Sequence, residues 1–195
     1  GGVMKDKISK VLAVFIVMYF TGISLSFAEG LQSIGFFSGY MEGELKSRTD
    51  DYKVIPMMVT LGFDLRPLAE KFGIETKGIL EFQLEPFISP IFSPESNLEL
   101  GLGMMFKYAF PLTDSFMPYL KVGSGPMYFT LQTQEQSTQF NFATSGCAGF
   151  SWFFKEDVSL DCEYRFRHMS NASIKHPNNG INTETILVGL TFRFE

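Results

Sequence analysis

A histidine and a serine stand two residues apart at His168 and Ser170, near the end of an alternating segment. A serine hydroxyl becomes a nucleophile when a neighbouring base takes its proton, and imidazole commonly fills that role. The imidazole needs a third group to orient it, and Asn182 or Glu184 could serve from beyond the next loop. The spacing predicts hydrolysis of an ester, although a histidine and a serine on a strand can equally be structural.

The loop after Ser170 supplies further candidate groups. Asn171, together with backbone N–H groups of the turn that follows, could stabilise the negative oxygen of a transition state. Two histidines and no Cys/His cluster give no metal-ligand set, so neither a metal nor another cofactor is expected. Basic residues in this loop and an earlier one could contact phosphates or stay solvated: Lys175, His176, Lys46 and Arg48.

The elements that carry these residues alternate apolar and polar side chains with period 2, which is typical of strands. His168 and Ser170 share the apolar phase of their segment, and Asn182 and Glu184 share that of the last segment. The loop between the two segments makes them antiparallel neighbours, so all four side chains can gather on one face. Eight strands are predicted, at about 34–43, 53–65, 78–88, 98–110, 117–131, 140–154, 158–166 and 185–194, with turns at 44–52, 66–77, 91–97, 111–116, 132–138, 155–157 and 171–180.

The composition favours a membrane barrel over a soluble sandwich. The chain has 22 Phe and 18 Gly, and only 19% of its residues are charged. Its apolar faces are long and bulky, as a lipid-facing wall requires, and its polar faces mix glycine with acids and bases, as a packed lumen does. We predict an all-β, eight-stranded antiparallel transmembrane β-barrel whose interior is filled rather than open. Asp161, Glu163, Arg165 and Arg167 are predicted to form a charge network in the lumen.

The first 28 residues are predicted to be a signal peptide rather than part of the barrel, which would occupy 29–195. A basic region follows Met4, after a short extension, and precedes the apolar run 11–25 and the small residues Ser26 and Ala28. A membrane anchor is the alternative, although the run is shorter than a spanning helix needs. With both termini in the periplasm, loop 171–180 would be extracellular.

The positions of the two cysteines and the net charge argue against a disulfide and against nucleic acid as a partner. Cys147 falls on the inward phase of its strand and Cys162 on the outward phase of the next, so no disulfide between them is expected. The formal charge of −5 argues against nucleic acid as a partner.

The run His168-Met169-Ser170-Asn171-Ala172, followed by Pro177-Asn178-Asn179-Gly180-Ile181, resembles the lipid A 3-O-deacylases and their acyloxyacyl hydrolase relatives. The resemblance extends more loosely along the chain, through the eight alternating segments. It implies a barrel of the Gram-negative outer membrane that hydrolyses the ester at the 3-position of lipid A in lipopolysaccharide, without a metal. It also implies that His168 is the general base, Ser170 the nucleophile and Asn171 part of the oxyanion hole.

Two departures from the family pattern leave alternatives open. Asn182 stands where the family has its acidic residue, so Glu184, one pleat further along, could replace it, or the amide itself could orient His168. A His-x-Ser pair with an asparagine resembles outer-membrane phospholipase A at the level of the site. Ser173 stands where a glycine is often found. A phospholipid-directed esterase and a non-catalytic barrel remain alternatives, and the apolar wall leaves a homodimer open.

Overall fold

The computed structural model describes residues 30–46, 50–73 and 76–194, most of which belong to one antiparallel sheet. The last strand pairs back onto the first, so the sheet closes into a barrel. The predicted signal peptide lies outside the described residues. Among the residues that are described, no helix is long and apolar enough to cross a membrane. The strands are β1 Ser33–Gly43, β2 Tyr52–Val54, β3 Met57–Asp64, β4 Ile79–Ser93, β5 Asn97–Ala109, β6 Phe116–Phe129, β7 Phe140–Lys155, β8 Val158–Ser170 and β9 Ile181–Arg193, and the helix α1 spans Arg66–Lys71.

β2 and β3 form a single wall of the barrel, because both pair with β1 on one side and with β4 on the other. The break between them falls at Ile55-Pro56, since proline has no N–H to give to the ladder. The Ile55 N–H still donates to the Pro90 carbonyl of β4, at 3.1 Å. The nine strands of the described chain therefore make eight walls, which confirms the predicted eight-stranded antiparallel barrel.

The two faces of the wall differ in chemistry as the alternation predicts. Along β9, Thr183, Thr185 and Leu187 are buried in the interior, while Ile186 and Val188 are 60% and 51% exposed on the outside. The same outward exposure of large apolar side chains recurs around the circumference of the barrel. Such a wall suits lipid, since exposed apolar bands of this extent are unfavourable in water.

The lumen holds a network of paired charges that includes Glu163, Arg165 and Arg167, as predicted from β8. Asp161, the fourth predicted member, instead accepts hydrogen bonds from the hydroxyls of Ser151 and Ser159. The Lys121 ammonium lies 3.1 Å from Glu85 and 2.7 Å from Glu163. The Arg165 guanidinium bridges the same two carboxylates at 2.8 Å and 2.7 Å, and Arg167 binds Glu99 at 2.8 Å. Burying a charge is costly unless it is paired, so these contacts hold the walls together across the interior.

An apolar plug closes the lumen at the end of the barrel where β8 stops and β9 starts. Met169 and Ile181, the inward residues of those strand ends, are 0% and 1% exposed within it. The plug gives β8 and β9 a fixed backing at the level of the candidate site. Its other members are Met41, Leu45, Tyr52, Val54, Ile91, Met127, Phe129 and Leu131.

The structure differs from the sequence-based expectation at two elements. Segment 66–77 was expected to be a turn, but it begins with helix α1, where Pro67 occupies the first turn and Leu68 packs against Phe63 and Leu65. β4 continues to Ser93 instead of ending near 88, and its Pro86 and Pro90 stand in register with Leu102 and Leu98 of β5. Cys147 is buried and Cys162 half-buried, and both thiols are free.

Replacing Glu163 by glutamine tests the role of the lumen network. The substitution leaves Lys121 and Arg165 with one carboxylate fewer in a buried site, so we expect the free energy of unfolding to fall by about 3 kcal/mol or more. Urea unfolding of the barrel in detergent measures the change. Glu156→Gln in the exposed turn after β7 is the control and should shift stability by less than about 0.5 kcal/mol. Equal shifts in the two variants would contradict a structural role for the network.

Candidate active site

β8 and β9 carry the candidate residues side by side at one end of the barrel. The register pairs His168 directly with Asn182, and both side chains point outward. Their inward neighbours Met169 and Ile181 are anchored in the apolar plug, so a one-residue slip of either strand would bury the site and expose the plug. The strand phase therefore fixes the site on the outer wall, as the alternation predicted.

The His168 imidazole is held by the Asn182 amide. The distance from His168 Nδ1 to Asn182 Oδ1 is 2.7 Å. Because an amide oxygen only accepts, Nδ1 must carry the hydrogen in this contact, and Nε2 is left with its lone pair. An imidazole in that tautomer can take a proton at Nε2, which is what a general base requires.

Glu184, the other candidate for the third group, lies one pleat further down β9 and pairs in register with Phe166 rather than with His168. Its carboxylate interacts with the Tyr164 hydroxyl. Of the two candidates that the sequence left open, the structure therefore brings Asn182 to the histidine and Glu184 to a tyrosine.

Ser170 is the last residue of β8 and lies half-buried on the same outward face as His168. Residues two apart on a strand are separated by about 7 Å between Cα atoms, so rotation about χ1 decides how close the hydroxyl comes to the ring. Among the described residues, no hydrogen bond joins Ser170 to His168. Hydrogen bonds of this kind are often long before substrate binds.

Asn171 was expected to help stabilise an oxyanion, but its side chain is buried beneath loop 171–180. The amide Nδ2 donates to the Lys175 carbonyl at 2.8 Å and to Ser137 Oγ at 3.4 Å. The backbone N–H of Asn171 donates to Asn178 Oδ1 at 2.9 Å. The side chain therefore holds the loop, and both of its amide hydrogens are used in these contacts.

That turn holds two consecutive non-glycine residues in the left-handed region, Ala172 with φ 52° and Ser173 with φ 62°. Left-handed backbone is uncommon outside glycine and costs about 1–2 kcal/mol per residue, and such strain gathers at functional sites. The conformation at Ser173 also gives a physical reason for the glycine often found there in the family. The sequence predicted a turn here but not its left-handed backbone, because neither residue favours positive φ.

Gly180 lies against Cε1 of the His168 ring and was not among the candidate residues that the sequence indicated. A Cβ at this position would stand 3.1 Å from His168 Nε2 and would overlap Cε1. Its φ of 71° is also left-handed. The available sequence signal was a glycine at the end of Pro177-Asn178-Asn179, which is typical of a turn but says nothing about contact with the ring.

Loop 171–180 is held in place by the loop that joins β6 to β7. The Ser137 N–H donates to the Pro177 carbonyl at 3.1 Å, and the Asn179 N–H donates to the Glu135 carbonyl at 2.9 Å. Ser137 Oγ also donates to the Lys175 carbonyl at 2.8 Å. The two loops form one unit above the end of β8, which fixes the position of the turn that follows Ser170.

The candidate basic residues of the loops lie at separate places, and Lys46 lines an acidic groove. Lys175 and His176 are exposed in loop 171–180, and Arg48 lies outside the described residues. Lys46 lines a groove of about 410 Å³ between β1 and β9, beside Asn182. Among the described residues, no group of three or more His, Cys, Asp or Glu is arranged to hold a metal ion. The groove is also lined by the carboxylates of Glu42, Glu44, Asp51 and Glu184.

Two solved barrels share the fold at low sequence identity. One, the outer membrane enzyme PagL, is 18% identical with a TM-score of 0.61, and the match covers 80% of this chain and 97% of that one. The other, Neisserial surface protein A (NspA), is 14% identical with a TM-score of 0.62, and the match covers 85% and 100%. A comparison with curated protein sequences found no match. None of these similarities supports the homodimer left open by the sequence.

The model of one protein family matches residues 56–191, and its description is lipid A 3-O-deacylase (PagL). The matched range includes His168, Ser170 and Asn182. Together with the barrel fold, the family match identifies the chain as a protein of the Gram-negative outer membrane. Because the match covers more than half of the sequence, the chain belongs to the lipid A 3-O-deacylase family.

Proposed function

We propose that the protein hydrolyses the ester that links a 3-hydroxyacyl chain to the 3-position of lipid A, with Ser170 as nucleophile and His168 as general base. The observation that carries the proposal is the Nδ1–Oδ1 hydrogen bond of 2.7 Å from His168 to Asn182, on the same outward face as Ser170. It leaves Nε2 of the imidazole free to take the serine proton on a wall that faces lipid.

The reaction follows from these groups in two halves. Nε2 of His168 takes the proton of Ser170 Oγ as the oxygen attacks the ester carbonyl, and a tetrahedral oxyanion forms. The imidazolium returns the proton to the sugar oxygen as the ester bond breaks, which leaves an acyl-serine. His168 then takes a proton from the water that attacks the acyl-serine and returns it to Ser170 Oγ as that bond breaks, which releases the fatty acid and restores the serine.

Asn182 sets the geometry of the base but brings no charge. An aspartate or glutamate in this place would also stabilise the imidazolium that forms as the proton moves. The amide keeps Nδ1 hydrogen-bonded and the ring oriented, so we expect turnover slower than with a carboxylate partner. Backbone N–H groups at Ala172 and Ser173, in their left-handed turn, are the proposed donors to the oxyanion.

The proposed substrate is in the outer leaflet. β1 begins and β9 ends at the barrel end opposite to the site, so periplasmic termini would place loop 171–180 outside the cell. Lipid A then lies beside the site, with its acyl chains along the wall and its phosphates near the loops. We propose that Lys46, Lys175 and His176 contact those phosphates, since cations favour docking of an anionic headgroup.

Phospholipid is a second candidate substrate, and one observation favours it. The third group is an asparagine, and the same set of a histidine, a serine and an asparagine resembles the site of outer-membrane phospholipase A. A phospholipase would release fatty acid from phospholipid micelles and leave lipid A unchanged. A barrel without activity would act on neither substrate.

Ser170→Ala should abolish removal of the acyl chain, because the hydroxyl that attacks the ester is gone. Mass spectrometry of lipid A from cells that make the wild type should show the loss of one hydroxyacyl chain, and cells with Ser170→Ala should not. Ser38→Ala, which removes an outward hydroxyl on β1, is the matched control and should behave as the wild type. Asn182→Ala in the same experiment should slow removal of the acyl chain. Full activity of this variant would show that the Asn182 amide is not needed to orient His168. Intact lipid A with the folded wild type would contradict the proposal.

Gly180→Ala should lower kcat on the order of 10²-fold with little change in KM, because the new methyl displaces the His168 ring by about an ångström. The control is Gly73→Ala after α1, which has the same backbone strain at φ 73° but nothing within 4 Å of the added Cβ. Steady-state kinetics with lipid A in mixed micelles compares the two. Equal activity in both variants would show that Gly180 does not position the ring.

Replacing Lys46, Lys175 and His176 by glutamine should raise KM for bisphosphorylated lipid A by roughly tenfold or more, since a basic residue near an anionic surface contributes about 1 kcal/mol. Dephosphorylated lipid A should show a much smaller change. Lys155→Gln, at the opposite end of β7, is the control. An unchanged KM for the phosphorylated substrate would mean that these side chains are simply solvated.

A further inference from the structure

A second pair of polar side chains lies on the outer wall beside the candidate site. Ser124 of β6 pairs in register with Thr144 of β7, and Thr144 pairs in register with His168. The distance between Ser124 Oγ and Thr144 Oγ1 is 3.0 Å. Ser124, Thr144, His168 and Asn182 therefore form a continuous polar row across four strands of the outer wall.

Hydroxyl groups on a lipid-facing wall are unusual because lipid chains cannot satisfy them. Two hydroxyls carry two hydrogens, and the bond between Ser124 and Thr144 uses one of them. The second hydrogen needs an acceptor, and without one it costs free energy in an apolar medium. The pair is thus poised to bind a polar group that lies among acyl chains.

The position of Thr144 indicates which polar group of the substrate the pair would bind. Ser170 pairs in register with Phe142, and Thr144 lies one pleat further from the loops. The substrate's headgroup belongs on the loop side of Ser170, so Thr144 faces the part of the acyl chain next to the scissile carbonyl. Cross-strand neighbours have Cβ atoms about 5 Å apart, so the Thr144 hydroxyl is close to His168 and within reach of the first carbons of that chain.

We propose that Thr144, supported by Ser124, recognises a hydroxyl on the acyl chain close to its ester carbonyl, and so makes the enzyme prefer hydroxylated chains over plain ones. The inference rests on the proposed function and adds a specificity determinant to it. Thr144 can donate to the chain hydroxyl while its own oxygen accepts from Ser124. A plain acyl chain offers this hydrogen no partner, so its transition state lacks the hydrogen bond that the hydroxylated chain gains.

The test compares two synthetic glucosamine esters in mixed micelles, one with a 3-hydroxytetradecanoyl chain and one with a tetradecanoyl chain at the 3-position. The wild type should have the higher kcat/KM on the hydroxylated ester. Thr144→Val, which keeps the shape and removes the hydroxyl, should reduce the ratio of the two kcat/KM values by about three- to tenfold. Activity on the plain ester should stay within a factor of two. Thr144→Ser should keep most of the preference.

A ratio that Thr144→Val leaves unchanged, or an equal fall on both esters, would overturn the role of Thr144 while the deacylase activity stands. No preference in the wild type would overturn it as well. If the folded wild type hydrolyses neither ester, the proposed function fails and this specificity fails with it. Ser124→Ala should reduce the ratio less than Thr144→Val, whereas Ser38→Ala, on the other side of the site, should leave it unchanged.

Discussion

Pairing between β1 and β9 leaves the sheet without a free edge, and a wall in lipid needs this because unpaired backbone N–H and C=O groups are costly there. Closure also locks the phase of every strand, since a slip of one residue would turn that strand's lipid-facing side chains into the lumen. The candidate site depends on that lock. His168 and Asn182 face each other on the outside only because Met169 and Ile181 are fixed in the apolar plug.

The same sheet separates two kinds of polar chemistry. Inside, most of the charged side chains described lie within ion-pair distance of an opposite charge, which offsets the cost of burying them, as Lys121 does between Glu85 and Glu163. Outside, polar side chains form hydrogen-bonded pairs, such as His168 with Asn182 and Ser124 with Thr144. Because the charge network in the lumen holds the strands together, the hydrogen-bonded pairs on the outer wall are not needed to stabilise the barrel and are available for binding.

Much of this arrangement was predictable because period 2 assigns each residue to a face. The outward position of His168 and the inward position of Arg165 both followed from it. Alternation does not give register between distant strands, so the contact of Arg165 with Glu85 could not be read from the sequence. The same limit left Asn182 and Glu184 as equal candidates, although only the first lies opposite His168.

Loop residues were harder to predict than strand residues, for a physical reason. The side chain of Asn171 turns inward to bind the Lys175 carbonyl, and Gly180 turns its Cα to the imidazole, because of a backbone path that no periodicity describes. Their roles depend on hydrogen bonds to the neighbouring loop at Ser137 and Glu135. A sequence shows that such a loop turns, but not which groups it brings together.

The location of His168 on the outer wall, with the lumen behind it filled, decides how a lipid reaches it. A lipid substrate would arrive sideways, by diffusion within one leaflet, rather than through the filled barrel. The relevant concentration is then the mole fraction of that lipid in the leaflet. Adding inert lipid at constant total substrate should therefore lower the rate at which the site meets its substrate. A released fatty acid would likewise leave into the membrane, where it competes for the same wall.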